Sequence, residues 1–271
     1  MYRGNGIMSA QYSMVTSLIY GFTAVMIVSV ISLVGVFTLS FKESTLRQVL
    51  FALIGLATGA LFGDALIHLI PEAFESGIST TTIAFLVMAG ILLFFMLEKI
   101  FLWRHSHLEE VESIESVEQH DHSPKHLAPL VLVADFVHNI LDGVIIGASF
   151  LISTPVGIST TVAVILHEIP QEIGDFGLLI HAGWSRGKAL LWNFLSALSA
   201  VLGLLVVFTI GASVESFVPF VSAVTAGSFI YIAGSDLVPE LRKTISLSRS
   251  AIQVATIILG FGIMLLLTLV E

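Results

Sequence analysis

Apolar runs of bilayer-spanning length recur along this chain, over residues 15 to 40, 48 to 70, 81 to 103, 128 to 152, 157 to 181, 189 to 212, 217 to 240 and 250 to 270. No other feature narrows the folds so far. Backbone inside hydrocarbon must satisfy its own hydrogen bonds, and only helices and closed β-barrels do so. Barrel strands need apolar residues only at alternate positions, whereas Ile83 to Phe95 and Val201 to Ile210 are continuously apolar. About 20 such residues carry a helix across the bilayer. With 56% hydrophobic and 11% charged residues the chain is no ordinary soluble domain. The run from Val15 to Phe41 is too long for a signal peptide and is read as the first span. We therefore expect an all-α membrane protein, a single polytopic domain over residues 1 to 271 with eight transmembrane helices.

Loop charge orients these spans. With eight of them, Lys42, Arg47, Lys99, Arg104, Lys125, Arg186, Lys188, Arg242, Lys243 and Arg249 fall on one side, and Arg3 stands opposite. The positive-inside rule makes that side cytoplasmic and puts both termini outside, as in a protein of the plasma (cytoplasmic) membrane. One cytoplasmic loop differs from the short Gly, Pro, Ser and Thr turns. Residues 104 to 127 hold six acids with His105, His107, His120, His122 and His126, too polar for a core and expected to be mobile. These histidines either collect metal weakly or belong to a solvated linker.

Spans four and five carry the chemistry. Each holds ionisable groups mid-span, where each such group costs at least about 2.5 kcal/mol without a partner. Residues four apart share a helix face, pairing His138 with Asp142 and His167 with Gln171. Two adjacent helices presenting these pairs supply four N and O ligands, a set that suits Zn²⁺ and also accepts Fe²⁺, Mn²⁺ or Co²⁺. The chain has no Cys, so thiolate sites are excluded. Asn139, Glu168 and Glu172 stand beside the pairs, with oxygens for a second ion or for orienting the first ligands, and Asp135 and Asp175 extend the polar face by a turn. Pro170 removes a helical hydrogen bond, freeing the Leu166 carbonyl beside the proposed ligands. Gly143 and Gly147 suit close helix packing.

A second pattern links distant spans. Asp64-Ala-Leu-Ile-His68-Leu-Ile-Pro71-Glu72 in span two resembles Asp236-Leu-Val-Pro239-Glu240 in span seven, which runs the other way. This suggests an inverted repeat, spans one to three and six to eight around a central pair, a 3+2+3 arrangement. Asp64, His68, Asp236 and Glu240 are then pathway candidates near the interfaces, within reach of water.

Together these residues resemble a known family. His-Asn-x-x-Asp-Gly in span four, His-Glu-x-Pro-x-Glu-x-Gly-Asp in span five, the segment Asp64 to Glu72, and Ala226 to Ala233 with Asp236 and Pro239-Glu240 are similar to the ZIP (Zrt/Irt-like) divalent metal transporters, closest to the LIV-1 branch. The resemblance implies a binuclear centre, with His138, Asp142, His167 and Gln171 at one site and Asn139, Asp142, Glu168 and Gln171 at the other, Asp142 bridging. It implies transport of Zn²⁺, or of Fe²⁺ or Mn²⁺, into the cytoplasm, and a homodimer. The metal is then substrate, no prosthetic group is needed, and no nucleic-acid partner is expected. Gln171 departs from the LIV-1 pattern, which has His there, and puts selectivity in question. The long N-terminal domain of many animal members is also absent from this sequence. No G-x-x-x-x-G-K-[ST] string is present, which argues against direct ATP coupling. Two other readings compete: an intramembrane zinc metalloprotease, since His167 to Gln171 resembles H-E-x-x-H with the second His lost, and a metal sensor without flux.

Overall fold

The computed structural model describes residues 4–38, 42–115, 127–210, 217–242 and 246–269. Among the described residues every regular element is helical. α1 is Gly4–Ile31, prolonged by a 3₁₀ turn Ser32–Val34 and a short piece Gly35–Thr38. α2 joins Glu43–Gly63, a π-helical turn Asp64–Leu69 and Ile70–Glu75. α3 is Thr80–Glu115, α4 Leu127–Ile152 and α5 Thr154–His181. α6 joins Arg186–Ala197 to Ala200–Ile210, and α7 joins Phe217–Tyr231, a π turn Ile232–Leu237 and Val238–Arg242. α8 is Leu247–Leu267.

Among the described residues, 7 of these runs are long and apolar enough to cross a membrane. The eighth is α5, whose 28 residues carry Glu168, Glu172 and Asp175. The two largest differences from the expected boundaries are in α1 and α3. α1 starts at Gly4 rather than near 15, and α3 continues to Glu115 rather than stopping near 103. The extension of α3 contains Leu108, Glu109 and Glu110, strong helix formers that carry the helix on. Of the expected loop, residues 116–126, including His120, His122 and His126, lie outside the described residues, as do the side chains of His105 and His107.

The π turns have a local cause. Pro71 and Pro239 each follow a π turn by two residues, and a proline both lacks an amide donor and crowds the carbonyl four residues earlier. A wider turn just before it accommodates the missing bond.

Packing places α3 and α8 outside. Only 17% of either spanning window is buried, against 50% for α2 and 53% for α7. Phe85 and Met88 of α3 and Ile258 and Leu265 of α8 point outward, as lipid-facing side chains do. Hydrocarbon gives no hydrophobic drive between helices, so small residues that admit close van der Waals contact take over. A Cβ on Gly143 of α4 would collide with the backbone of Ala200 in α6, and one on Gly203 with the carbonyl of Ile140. The interior, built from Val25, Leu61, Ile146, Val164, Leu204 and Phe229, surrounds the facing stretches of α4 and α5.

Candidate metal site

A very tight turn brings the two motif strings together. Ser153 caps α5, its hydroxyl accepting the Val156 amide at 3.2 Å, and Pro155 occupies the first helical turn, where its missing N–H costs nothing. So short a link makes α4 and α5 antiparallel neighbours, and their mid-membrane residues meet. At the other end of α5, Gly183 takes a φ of +85° and Ser185 caps α6.

Four side chains converge between α4 and α5. His167 Nε2 lies 3.4 Å from Asp142 Oδ2 and 3.4 Å from Glu168 Oε1. His138 Nε2 lies 3.4 Å from Glu168 Oε1 and 3.8 Å from Asp142 Oδ2. One ligand atom from each of the four falls within 4.8 Å of all the others, a spread that one ion can span. Asp142, His167 and Glu168 are buried, and His138 keeps 17% of its side chain exposed. Neither carboxylate oxygen of Asp142 or of Glu168 has a hydrogen-bond partner. Among the described residues these two buried carboxylates have only imidazole nitrogens near them, outside hydrogen-bond geometry, and a cation among them offsets the cost of their burial. The ring orientations are also held. His167 Nδ1 is 3.2 Å from the Ala163 carbonyl, so with its proton donated there Nε2 presents its lone pair to the cluster. Phe94 packs edge-on against His138, and Phe229 against His167.

The remaining predicted residues occupy distinct places. Asn139 is fully buried and donates its amide to the Asp135 carboxylate at 2.8 Å and to the Asp135 carbonyl at 3.1 Å, leaving its own Oδ1 without a partner. Gln171, Asp135 and Asp175 line a cavity of about 280 Å³ together with Phe94, His138 and Tyr231. Glu168 Oε1 is equally close to both imidazoles, and Gln171 lines the cavity. Glu172 is buried against Asn193, whose amide donates to it and also reaches the Ser32 carbonyl at 3.4 Å. The side chain of Asp236 lies outside the described residues, and Glu240 is exposed at the end of α7.

Asp64 and His68 correct an expectation. Water was expected to reach them, yet they are 0% and 3% exposed. The reason is tertiary: Thr160 of α5 donates to Asp64 Oδ2 at 2.8 Å, and His68 Nδ1 lies 3.1 Å from Asp64 Oδ1. Thr160 and Asn193 are the polar partners that sequence reading missed. Thr160 stands seven residues before His167 and so on its face of α5, which is a readable signal. Asn193 is a lone amide in an apolar span.

The family model described as ZIP zinc transporter matches residues 15–129 and 103–268. The chain belongs to the ZIP family. Among its relatives, the metal cation symporter ZIP14 of Xenopus tropicalis is 32% identical over 322 residues, covering 92% of this chain and 69% of that one. Zinc transporter zipt-7.1 of Caenorhabditis briggsae is 30% identical, covering 81% and 71%. Human zinc transporter ZIP4 is 30% identical, covering 83% of this chain and 44% of its own length. ZIP14 and ZIP4 belong to the LIV-1 branch, the one to which the α5 string is closest. ZIP proteins are transporters rather than enzymes, which removes the metalloprotease reading.

Proposed function

We propose that this ZIP protein carries divalent metal ions, Zn²⁺ foremost with Fe²⁺ or Mn²⁺ as alternatives, into the cytoplasm through a two-ion site between α4 and α5. The observation that carries the reading is the meeting of His138, Asp142, His167 and Glu168 within 4.8 Å, with both carboxylates lacking donors at mid-membrane. One ion takes His138, Asp142, His167 and Gln171, and a second takes Asn139, Asp142, Glu168 and Gln171, bridged by Asp142. The unpartnered Oδ1 of Asn139 supports a second ion. The printed names of the relatives, a metal cation symporter and zinc transporters, support the substrate class.

Topology supports the direction. Because α4 and α5 are antiparallel, Asp135 and Asp175 lie on the same side of the cluster, beside the cavity. The charge asymmetry of the loops supports a cytoplasmic assignment for that side, with both termini outside the plasma membrane. Asp64, His68 and Thr160 then close the outer side, and Asp236 and Glu240 stand at the inner exit.

The 3+2+3 repeat has matching details in its favour. Gly59 of α2 and Gly227 of α7 each stand twelve residues before the proline that follows their π turn. A Cβ on Gly59 falls 3.1 Å from the Cα of Gly260 in α8, and a Cβ on Gly90 in α3 falls 3.1 Å from the Cα of Gly227. Exchanging α2 with α7 and α3 with α8 maps one contact onto the other. Homodimer formation rests on the family resemblance alone.

Proteoliposomes test the function. Labelled Zn²⁺ accumulates inside vesicles when the protein inserts with its termini outward, and two ions bind per chain at equilibrium. Binding without accumulation overturns transport; one ion per chain overturns the binuclear site.

A further inference from the structure

A second cavity, of about 430 Å³, lies on the face of α4 turned away from the metal site. Its walls are Leu132, Val133 and Phe136 of α4, Trp192 and Leu195 of α6, and Trp184 in the turn between α5 and α6. Val133, Phe136, Trp192 and Leu195 are each between 40% and 50% exposed, so the groove opens outward over most of its length. An apolar groove at a membrane-facing surface is filled by hydrocarbon, and its rim decides which lipid supplies it.

That rim is cationic. Lys188 Nζ sits 3.7 Å above the Trp184 ring, and the exposed Arg186 opens α6 two residues earlier. No acid occurs in the sequence between Asp175 and Glu215, so neither basic residue has an acid close to it along the chain. Tryptophans mark the headgroup level of a bilayer, and basic side chains there attract anionic headgroups of the cytoplasmic leaflet. We propose that this groove holds an acyl chain of an anionic phospholipid, with its phosphate paired to Lys188 and with Arg186 adding positive charge at the same helix end. The leaflet assignment rests on the orientation proposed above.

The seat bears on the transport machinery through α4. Ser196 and Ser199 of α6 donate to the Leu132 and Phe136 carbonyls at 3.3 and 2.8 Å, fastening the groove's two walls. Asp135 and Asn139 lie on the same stretch of α4. A chain in the groove therefore packs the back of the helix that presents the metal ligands.

Tryptophan quenching tests the proposal. The chain has 3 Trp, and Trp103→Phe leaves only the two that line the groove. In nanodiscs, brominated phosphatidylglycerol is titrated against brominated phosphatidylcholine of the same acyl chains. With two basic side chains at the rim, half-maximal quenching is expected at a roughly thirtyfold lower mole fraction of the anionic lipid. Adding R186Q and K188Q should bring the two curves together while ordinary quenching by phosphatidylcholine persists. Equal curves for the unaltered rim overturn the proposal, as does absence of quenching with cross-linking of Trp192 to a second copy. Quenching does not read metal flux, so a failed transport assay leaves this result standing, and the reverse holds too.

Discussion

The Nε2 atoms of His138 and His167 lie 3.4 Å apart although 29 residues separate them in sequence. Helix packing alone does not require two imidazoles to face each other inside a membrane. Each also lies 3.4 Å from Glu168 Oε1, and Asp142 Oδ2 stands 3.4 Å from His167, so the donors share one centre rather than forming separate pairs. A polar glue between helices would have used its carboxylates as hydrogen-bond acceptors. Here all four carboxylate oxygens are left over.

Asp142 is the residue on which both proposed ions depend. Asp142→Ala should nearly abolish Zn²⁺ uptake into proteoliposomes while the protein still elutes as a single folded species. Full uptake by the variant contradicts the bridging role.

Asp135 acts one step back. It holds the Asn139 amide at 2.8 Å, which fixes where Oδ1 of Asn139 points. Losing an orienting partner of this kind typically costs about 10- to 100-fold in metal affinity or activity. Asp135→Ala should therefore raise the half-saturating Zn²⁺ concentration, and Asp135→Asn, which keeps an accepting oxygen, should recover much of the loss. Uptake measured against Zn²⁺ concentration separates the two variants.

The spans and the ligand strings were legible because membranes penalise charge: His138, Asp142, His167 and Glu168 stand out against apolar neighbours in a way no soluble core would make them. Spacing of four residues was enough to put His138 and Asp142 on one face. Spacing alone left Glu168 only beside the pairs; its approach to both imidazoles depends on how α4 and α5 pack, which no single-helix spacing encodes. The burial of Asp64 was not legible either, since it depends on a Thr that lies 96 residues away in sequence. Likewise, the extension of α3 to Glu115 is announced only by helix-forming Leu and Glu residues and a short Leu108, Val111, Ile114 spacing, which its many acids and histidines outweighed.

Thr160 keeps a buried carboxylate satisfied. Thr160→Val preserves shape but removes the donor to Asp64, at a cost of about 1–3 kcal/mol for a buried acceptor losing its partner. A lower melting temperature in detergent is expected, and Thr160→Ser should restore it. An unchanged melt for Thr160→Val means that the hydrogen bond contributes nothing to the closed side.

Gln171 sets the chain apart from its own branch. An amide oxygen is a weaker ligand for Zn²⁺ than imidazole and discriminates less against Mn²⁺, which prefers oxygen donors. Because Gln171 lines the cavity that His138 also lines, an imidazole there would join the cluster from its accessible side. Gln171→His should lower the half-saturating concentration for Zn²⁺ and reduce the ability of Mn²⁺ to compete with it. It should also add pH dependence, because imidazole must be unprotonated to bind metal and falling pH protonates it. Zn²⁺ affinity of the variant is thus expected to drop more steeply than that of the natural protein as the medium is acidified from neutrality. Competition uptake assays at two pH values read both effects, and identical selectivity in the two proteins would remove Gln171 from the ligand set.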